Sequence, residues 1–368
     1  MNRNKIELNF VPPSVTRVEE HDLVRKVERA YRVCYKSENK MSEDSKDLVR
    51  RLSRHHHVKR HTSPLEHSCI SIRADNTKAL QYFFTTEYKA PFIEVMDDRI
   101  IGNFRAFHDL FVRNTNETDN PDIWRIHATS TLTNVVLYSL GKALHDKFPE
   151  VFPVIEPLTT ELLAEDEEKP LTRGLLQKLS NLSISEYKDY YSFMIVTSRD
   201  ILQELARHRA LSPSVESTRY CNYGNKGYTF VIPKPYEWAE QFSWSEQDIA
   251  TITYRTLQDS LKTIPRKDGT GAEYVAISPM GMIQDYENNM LELFLSNCYT
   301  CAARYDKALQ LGARPQEARM LMPGGLKTEL MMSGYRSYWV NHFLPLRDDK
   351  DAHPMMQYIA HEISKLIL

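Results

Sequence analysis

The residues Tyr190 to Arg209, YYSFMIVTSRDILQELARHR, constrain the chain most, because one backbone pattern gives way directly to another within them. YYSFMIVTS has the aromatic and β-branched content of a strand. RDILQELARHR is an amphipathic helical run, and Thr197 or Ser198 stands where an N-cap belongs. A chain built on this switch mixes strands and helices. Other stretches follow suit: KIELNFV and SCISIR read as short strands, YTFVIPKPYEW as an extended segment ended by prolines, and DLVRKVERAYRVCY, SEDSKDLVRRLSRHHH, SEQDIATITYRTLQDSLKTI and ENNMLELFLSNCYTCAARYDKALQLG as helices, the last stopping at Gly312. Helices dominate, so the fold class is α+β. From about Asp75 to Lys188 the texture changes, and FPEVFPVIEPLTTELLAEDEEKP reads as an exposed linker or excursion. No internal repeat is visible.

Glycine decides how a phosphate could be held. Only 12 occur in 368 residues, and DGTGAEY lacks both the third glycine and the preceding strand of a dinucleotide loop. Any bound phosphate must therefore rest on side-chain cations. Lys+Arg 47 against Asp+Glu 49 leaves no overall basic field, so anion binding is local and a nucleic-acid coat is not expected. Five scattered cysteines fit a reducing compartment. No run approaches the roughly 20 apolar residues of a membrane span, MNRNKIELNF has no apolar leader core, and the chain reads as cytoplasmic.

The cations concentrate in ELARHRALSPSVESTRYCNY, Glu204 to Tyr223. Arg207, His208 and Arg209 in a last helical turn would complement the helix dipole and need mean nothing more. If the helix continues through them, Arg207 and Arg209 lie about 200° apart and serve two partners, with Glu204 on the face of Arg207. Ser217, Thr218 and Arg219 then offer two hydroxyls, turn N–H groups and a forked guanidinium, a set suited to phosphate.

These residues carry a resemblance. Arg207-His208-Arg209, seven residues, then Ser217 resembles the R-H-R-x7-S signature of the flavin-dependent thymidylate synthases. AYRVCYKS (Ala30 to Ser37), HTSPLEH (His61 to His67), STRYCNY, EARMLMPGGLKTEL (Glu317 to Leu330) and HFLPLRDDKDAHP (His342 to Pro354) are similar to that family's blocks, in its order. The resemblance implies a single catalytic domain over residues 1–368, helix-rich with a small antiparallel or mixed sheet, in which about 75–188 is a family-variable insertion. It implies methylation of dUMP to dTMP, with methylenetetrahydrofolate giving the one-carbon unit and FAD, reduced by NADPH, giving the hydride. Glu204, Arg207, Ser217, Thr218, Arg219, Arg319 and Arg347 would bind dUMP. Ser63, Arg207, His208, Arg209, His342 and His61 would bind FAD. Arg347 and Ser217 would serve the reaction itself: Arg347 as a cation near the pyrimidine, Ser217 by positioning, since no His or Asp stands in the motif as an obvious base and the family's hydride chemistry implies no covalent enzyme adduct. The family further implies a homotetramer with sites shared between subunits. Ser214, Val215 and Arg336 depart from the family pattern.

No metal is expected, because His55, His56 and His57 are adjacent and point different ways on a helix, and no carboxylate or cysteine joins them, His61 or His67 at ligand spacing. CYTC at Cys298 to Cys301 reads as a packed helix face rather than a redox pair. RRLSRHHHVKRH reads as a solvated face. From another class of function, a non-catalytic nucleotide- or nucleic-acid-binding protein would use the same basic turn, and flavin colour discriminates the two.

Overall fold

The computed structural model describes residues 8–41, 46–53, 61–74, 77–88, 92–118, 120, 122–127, 131–157, 179, 181–232, 261–265, 272–276 and 290–367. Strands β1 (Leu8–Val11) and β2 (Ser14–Arg17) precede the helix Leu23–Tyr35. Asp22 opens that helix by accepting the N–H groups of Val24 and Arg25, and Lys36, in the left-handed region at φ 49°, ends it. The helix Lys46–Ser53 and a 3-10 turn, Ser63–His67, lead into β3 (Cys69–Arg73).

The segment after β3 contributes β4 (Ile93–Val95), β5 (Ile100–Asn103), β6 (Thr115–Glu117), β7 (Ile123–Ile126), β8 (Val154–Glu156) and β9 (Ser183–Glu186), with helices Phe104–Asn114 and Thr131–Lys147. Its sheets run β4-β5-β3-β9 and β6-β7-β8. Its apolar core is shared with the first two helices: Val27 and Tyr31 of one and Val49 of the other join Phe104, Phe107, Phe111 and Trp124 in one cluster. This corrects the expectation of an exposed linker for the part of it that is described. Phe152 is fully buried, its ring 5.6 Å from Phe104 and 6.1 Å from Phe111. Aromatic area of that size outweighs the polarity of the neighbouring glutamates, and Pro153 sits just ahead of β8, where no ladder N–H is needed. Residues 158–170 lie outside the described residues.

The sheet that carries the candidate site pairs the nine-residue β10 (Tyr190–Ser198) with β15 (Lys327–Tyr335), antiparallel from Tyr190↔Tyr335 to Ser198↔Lys327. The short β11 (Ser212–Val215) lies on the far edge of β15 and β2 on the far edge of β10, giving β11-β15-β10-β2. The C-terminal helix Pro354–Ile367 buries Met355, Met356, Ile359, Ala360 and Ile363 in the core that Phe193, Ile195, Leu330 and Met332 supply from the sheet. A third core forms where β1 pairs in parallel with β12 (Tyr228–Val231) and meets the helix Met290–Gln310. That helix closes as its sequence predicts. Gly312, at φ 94°, donates to Leu309 and Ala313 donates back to Ala308, a pattern only a left-handed residue permits.

The helix expected over Ser245 to Ile264 is corrected at its end: Leu261–Pro265 is strand β13, antiparallel to β14 (Ala272–Ala276). Thr263 and Ile264 are β-branched, and the residue before a proline is pushed from helical to extended backbone. Residues 245–260 lie outside the described residues, as do 54–60, which hold His55, His56 and His57. Cys298 and Cys301 are free thiols on one helix, Cys298 buried. No helix among the described residues is long and apolar enough to cross a membrane.

Candidate active site

The helix after β10 spans only Arg199–Leu205. Arg207 N–H donates to Glu204 and His208 N–H to Leu205, and the chain turns so that β11 can pair with β15. The imidazole of His208 drops inward, 4.8 Å from the Phe343 ring, whereas Arg207 and Arg209 stay exposed on either side. The 200° split expected of a continuous helix is therefore corrected. A tight turn with its central histidine buried separates the arginines, because edge-strand pairing and the apolar contact outweigh one more helical turn.

Glu204 does not orient Arg207. Its Oε2 accepts Nη1 of Arg347 at 2.8 Å, and Nε of Arg347 donates to Nε2 of His208, also at 2.8 Å. Arg347 is brought there by the short helix Leu344–Arg347, which follows β15 through the turns 336–343. Burial, and then the Arg347 cation, pull the His208 pKa down to about 4. The ring is neutral at pH 7, with Nε2 as acceptor and the proton on Nδ1. His342 stacks on Tyr338 at 5.1 Å, and Tyr338 lies 6.4 Å from His208, so the Arg-His-Arg turn and the HFLPLR block meet.

A second cluster forms at the other end of β11. Ser217 N–H donates to the carbonyl of Cys34 at 3.0 Å, which joins STRYCNY to AYRVCYKS. Thr218 Oγ1 accepts Nη1 of Arg319 at 2.9 Å, and Nε of Arg219 donates to Gln316 at 3.2 Å. The Arg219 guanidinium lies 5.5 Å from the ring of the exposed Tyr220. Tyr220 packs 5.7 Å from Tyr35, and Tyr35 packs against His61, whose Nδ1 is 3.4 Å from the Tyr35 hydroxyl. Burial holds the His61 pKa below its ordinary value. Ser217 Oγ accepts the Arg219 N–H at 3.3 Å, and no His or Asp approaches it among the described residues. None of the described His or Asp side chains is hydrogen-bonded to it as a base.

Within one chain, then, the predicted residues form two groups. Glu204, Arg207, His208, Arg209, His342 and Arg347 lie at one end of β11, and Ser217, Thr218, Arg219, Arg319 and His61 at the other. The four-residue strand between them is about 13 Å long at about 3.3 Å per residue. Ser63 opens the 3-10 turn on the His61 side and is half-buried.

Sequence reasoning missed what sits between the groups. His67 is fully buried, its Nδ1 2.6 Å from Ser333 Oγ and its Nε2 2.8 Å from Ser214 Oγ, while Ser333 donates to Ser192 at 2.6 Å. Burial pulls the His67 pKa down to about 3. The imidazole clamps the HTSPLEH turn onto β10, β11 and β15. Ser214, where the sequence departs from the family pattern, is thus an inward hydroxyl with a structural partner. The signal available in the sequence is the HTSPLEH block itself, whose histidines flank a turn next to the strand SCISIR. Among the described residues no cluster of three or more His, Cys, Asp or Glu could hold a metal ion. The exposed guanidiniums of Arg207 and Arg209, which have no side-chain partner among the described residues, could hold an anion beside the neutral His208.

Among solved structures, thymidylate synthase X (ThyX) from Helicobacter pylori, with FAD and dUMP, is 21% identical over 56% of this chain and 76% of that chain, at a TM-score of 0.29. The UMP/dUMP methylase PolB from Streptomyces cacaoi, bound with 5-Br dUMP, is 14% identical over 98% of this chain and 92% of that chain, at a TM-score of 0.35. Comparison with curated proteins finds no match. The model of the family described as thymidylate synthase complementing protein matches residues 154–368, which includes both groups except the N-terminal His61 and Ser63. The chain belongs to that family, Thy1.

Proposed function

We propose that this chain is a flavin-dependent thymidylate synthase, which methylates dUMP to dTMP using methylenetetrahydrofolate as one-carbon donor and NADPH-reduced FAD as hydride donor. One observation carries the reading. The Arg347–His208 hydrogen bond joins the Arg-His-Arg turn to the Pro-Leu-Arg block across 139 residues of sequence, at a buried neutral imidazole. A merely solvated basic loop has no use for such a bond.

FAD fits the chemistry of the donors present. Arg207 and Arg209 present exposed guanidiniums, without a side-chain partner among the described residues, that suit a diphosphate, and His208, His342, His61 and Ser63 complete the FAD-binding set. Bound and reduced, FAD supplies the hydride. Arg347 is held by Glu204 and His208 as a fixed cation for the pyrimidine, where it lowers the cost of negative charge developing on the ring as C5 becomes nucleophilic. Ser217, Thr218, Arg219 and Arg319 hold the nucleotide, with Ser217 acting by orientation.

The division of the residues into two groups at opposite ends of β11 favours a homotetramer in which one group from each of two subunits completes a site. The whole chain acts as one catalytic domain, with residues 75–188 as an insertion of the family. Purified protein that is yellow, with flavin absorbance, is the expected result. Colourless protein that takes up no FAD on incubation overturns the reading in favour of a non-catalytic nucleotide-binding protein.

A further inference from the structure

We infer that Glu216 is the positioning residue of the Ser217–Arg219 turn, an inference that rests on the reading of that turn as the dUMP-binding element. Glu216 stands between Val215 and Ser217 with its side chain only 1% exposed. A carboxylate in such a place is costly unless it is paired. Its Oε1 accepts the Tyr223 hydroxyl at 3.1 Å and faces the Lys36 ammonium at 3.5 Å. Its main chain is tied as well, with its N–H donating to Glu329 at 2.9 Å and its carbonyl accepting Nη2 of Arg199 at 2.8 Å.

The Tyr223 bond gives these contacts their purpose. Glu216 and Tyr223 are the two stems of the loop 217–222, and the side-chain bond between them closes that loop at its base. Lys36 reaches Glu216 from a left-handed backbone, the one non-glycine residue with positive φ among the described residues. That backbone is the left-handed stop of the first helix, so the end of the helix sets the ammonium beside the carboxylate. Two residues earlier, the Cys34 carbonyl grips Ser217 N–H from the same side. The loop that presents Ser217, Thr218 and Arg219 is thereby ordered before any nucleotide arrives, so binding does not bear the entropy of ordering it.

A positioning residue of this kind acts on nucleotide affinity and leaves the chemical step alone. Glu216→Ala and Tyr223→Phe should each weaken dUMP binding about tenfold by calorimetry on the FAD-loaded protein. They should raise KM for dUMP while kcat at saturating dUMP stays within about twofold and FAD content is unchanged. Glu216→Gln keeps an acceptor for Tyr223 and should recover most of the affinity. Should Glu216→Ala fail to fold, Tyr223→Phe and Glu216→Gln decide alone. Parent-like dUMP affinity in Tyr223→Phe, or equal losses of kcat and affinity in all variants, overturns the inference. A parent protein that binds FAD but no dUMP overturns instead the nucleotide reading of the turn, and the inference with it.

Discussion

Replacing Arg347 by alanine tests the cluster at the helix end. The guanidinium is 15% exposed and makes two short polar bonds, to Glu204 and to Nε2 of His208. Bonds to charged groups contribute about 1.5–3 kcal/mol each. Glu204 is 28% exposed and regains hydration when its partner leaves, so the loss in stability should fall near 3 kcal/mol rather than 6. The same change removes the cation that, after burial, holds the His208 pKa down at about 4, while the Glu204 carboxylate remains. The imidazole should therefore titrate closer to the ordinary histidine value. Urea unfolding gives the first quantity and histidine-selective NMR across pH the second. The variant should remain yellow yet lose tritium release from C5-labelled dUMP. An unchanged His208 titration with unchanged stability would refute the reasoning, because it would mean that the guanidinium is not lodged between these two groups.

Four further outcomes are expected. Arg219→Ala should keep its flavin and lose dUMP-dependent chemistry, whereas Arg209→Ala should release FAD; equal flavin loss in both, with dUMP affinity intact, contradicts the division of roles. Stability should fall with acidification below pH 6.5: the native pKa values of His67 and His208 lie at about 3 and about 4, below those of the unfolded chain, so the contribution present above pH 6.5 is lost as pH drops through that interval. The limiting slope for two protons is about 2.7 kcal/mol per pH unit, and urea unfolding that is flat between pH 6.5 and 4 would contradict it. Deleting residues 158–170 should leave FAD binding intact, whereas Phe152→Ala should cost about 3–5 kcal/mol of stability because the ring is fully buried; loss of FAD on the deletion places that stretch in the site. Light scattering should give a tetramer, and a fully active monomer excludes shared sites.

Much of this arrangement was legible in the residues, and the exceptions have physical causes. The strand YYSFMIVTS and the Gly312 stop are local: side-chain type and left-handed backbone decide them, and a short window holds the information. The end of the helix after β10 is not local. Leu205 is its last residue because β11, reached seven residues later, pairs with β15 more than a hundred residues on, and because His208 finds Phe343. A helical angle measured from Glu204 to Arg209 could not anticipate that. Phe152 was misread for a related reason, since prolines and glutamates around it suggest solvent while Phe104 and Phe111, distant in sequence, make it core. For the site, the motif spacing named the cations, but not which carboxylate each would meet. Glu204 pairs with Arg347 rather than Arg207, and Glu216 and His67 gain their roles only from partners on other elements.

The central claim is that this chain transfers a one-carbon unit to dUMP with a flavin as hydride donor. Its most direct test is tritium release from C5-labelled dUMP by the FAD-loaded protein supplied with methylenetetrahydrofolate and NADPH. Release that depends on all three, and that is accompanied by dTMP, is the predicted result. Protein that binds FAD and dUMP yet releases no tritium and forms no dTMP under those conditions would contradict it.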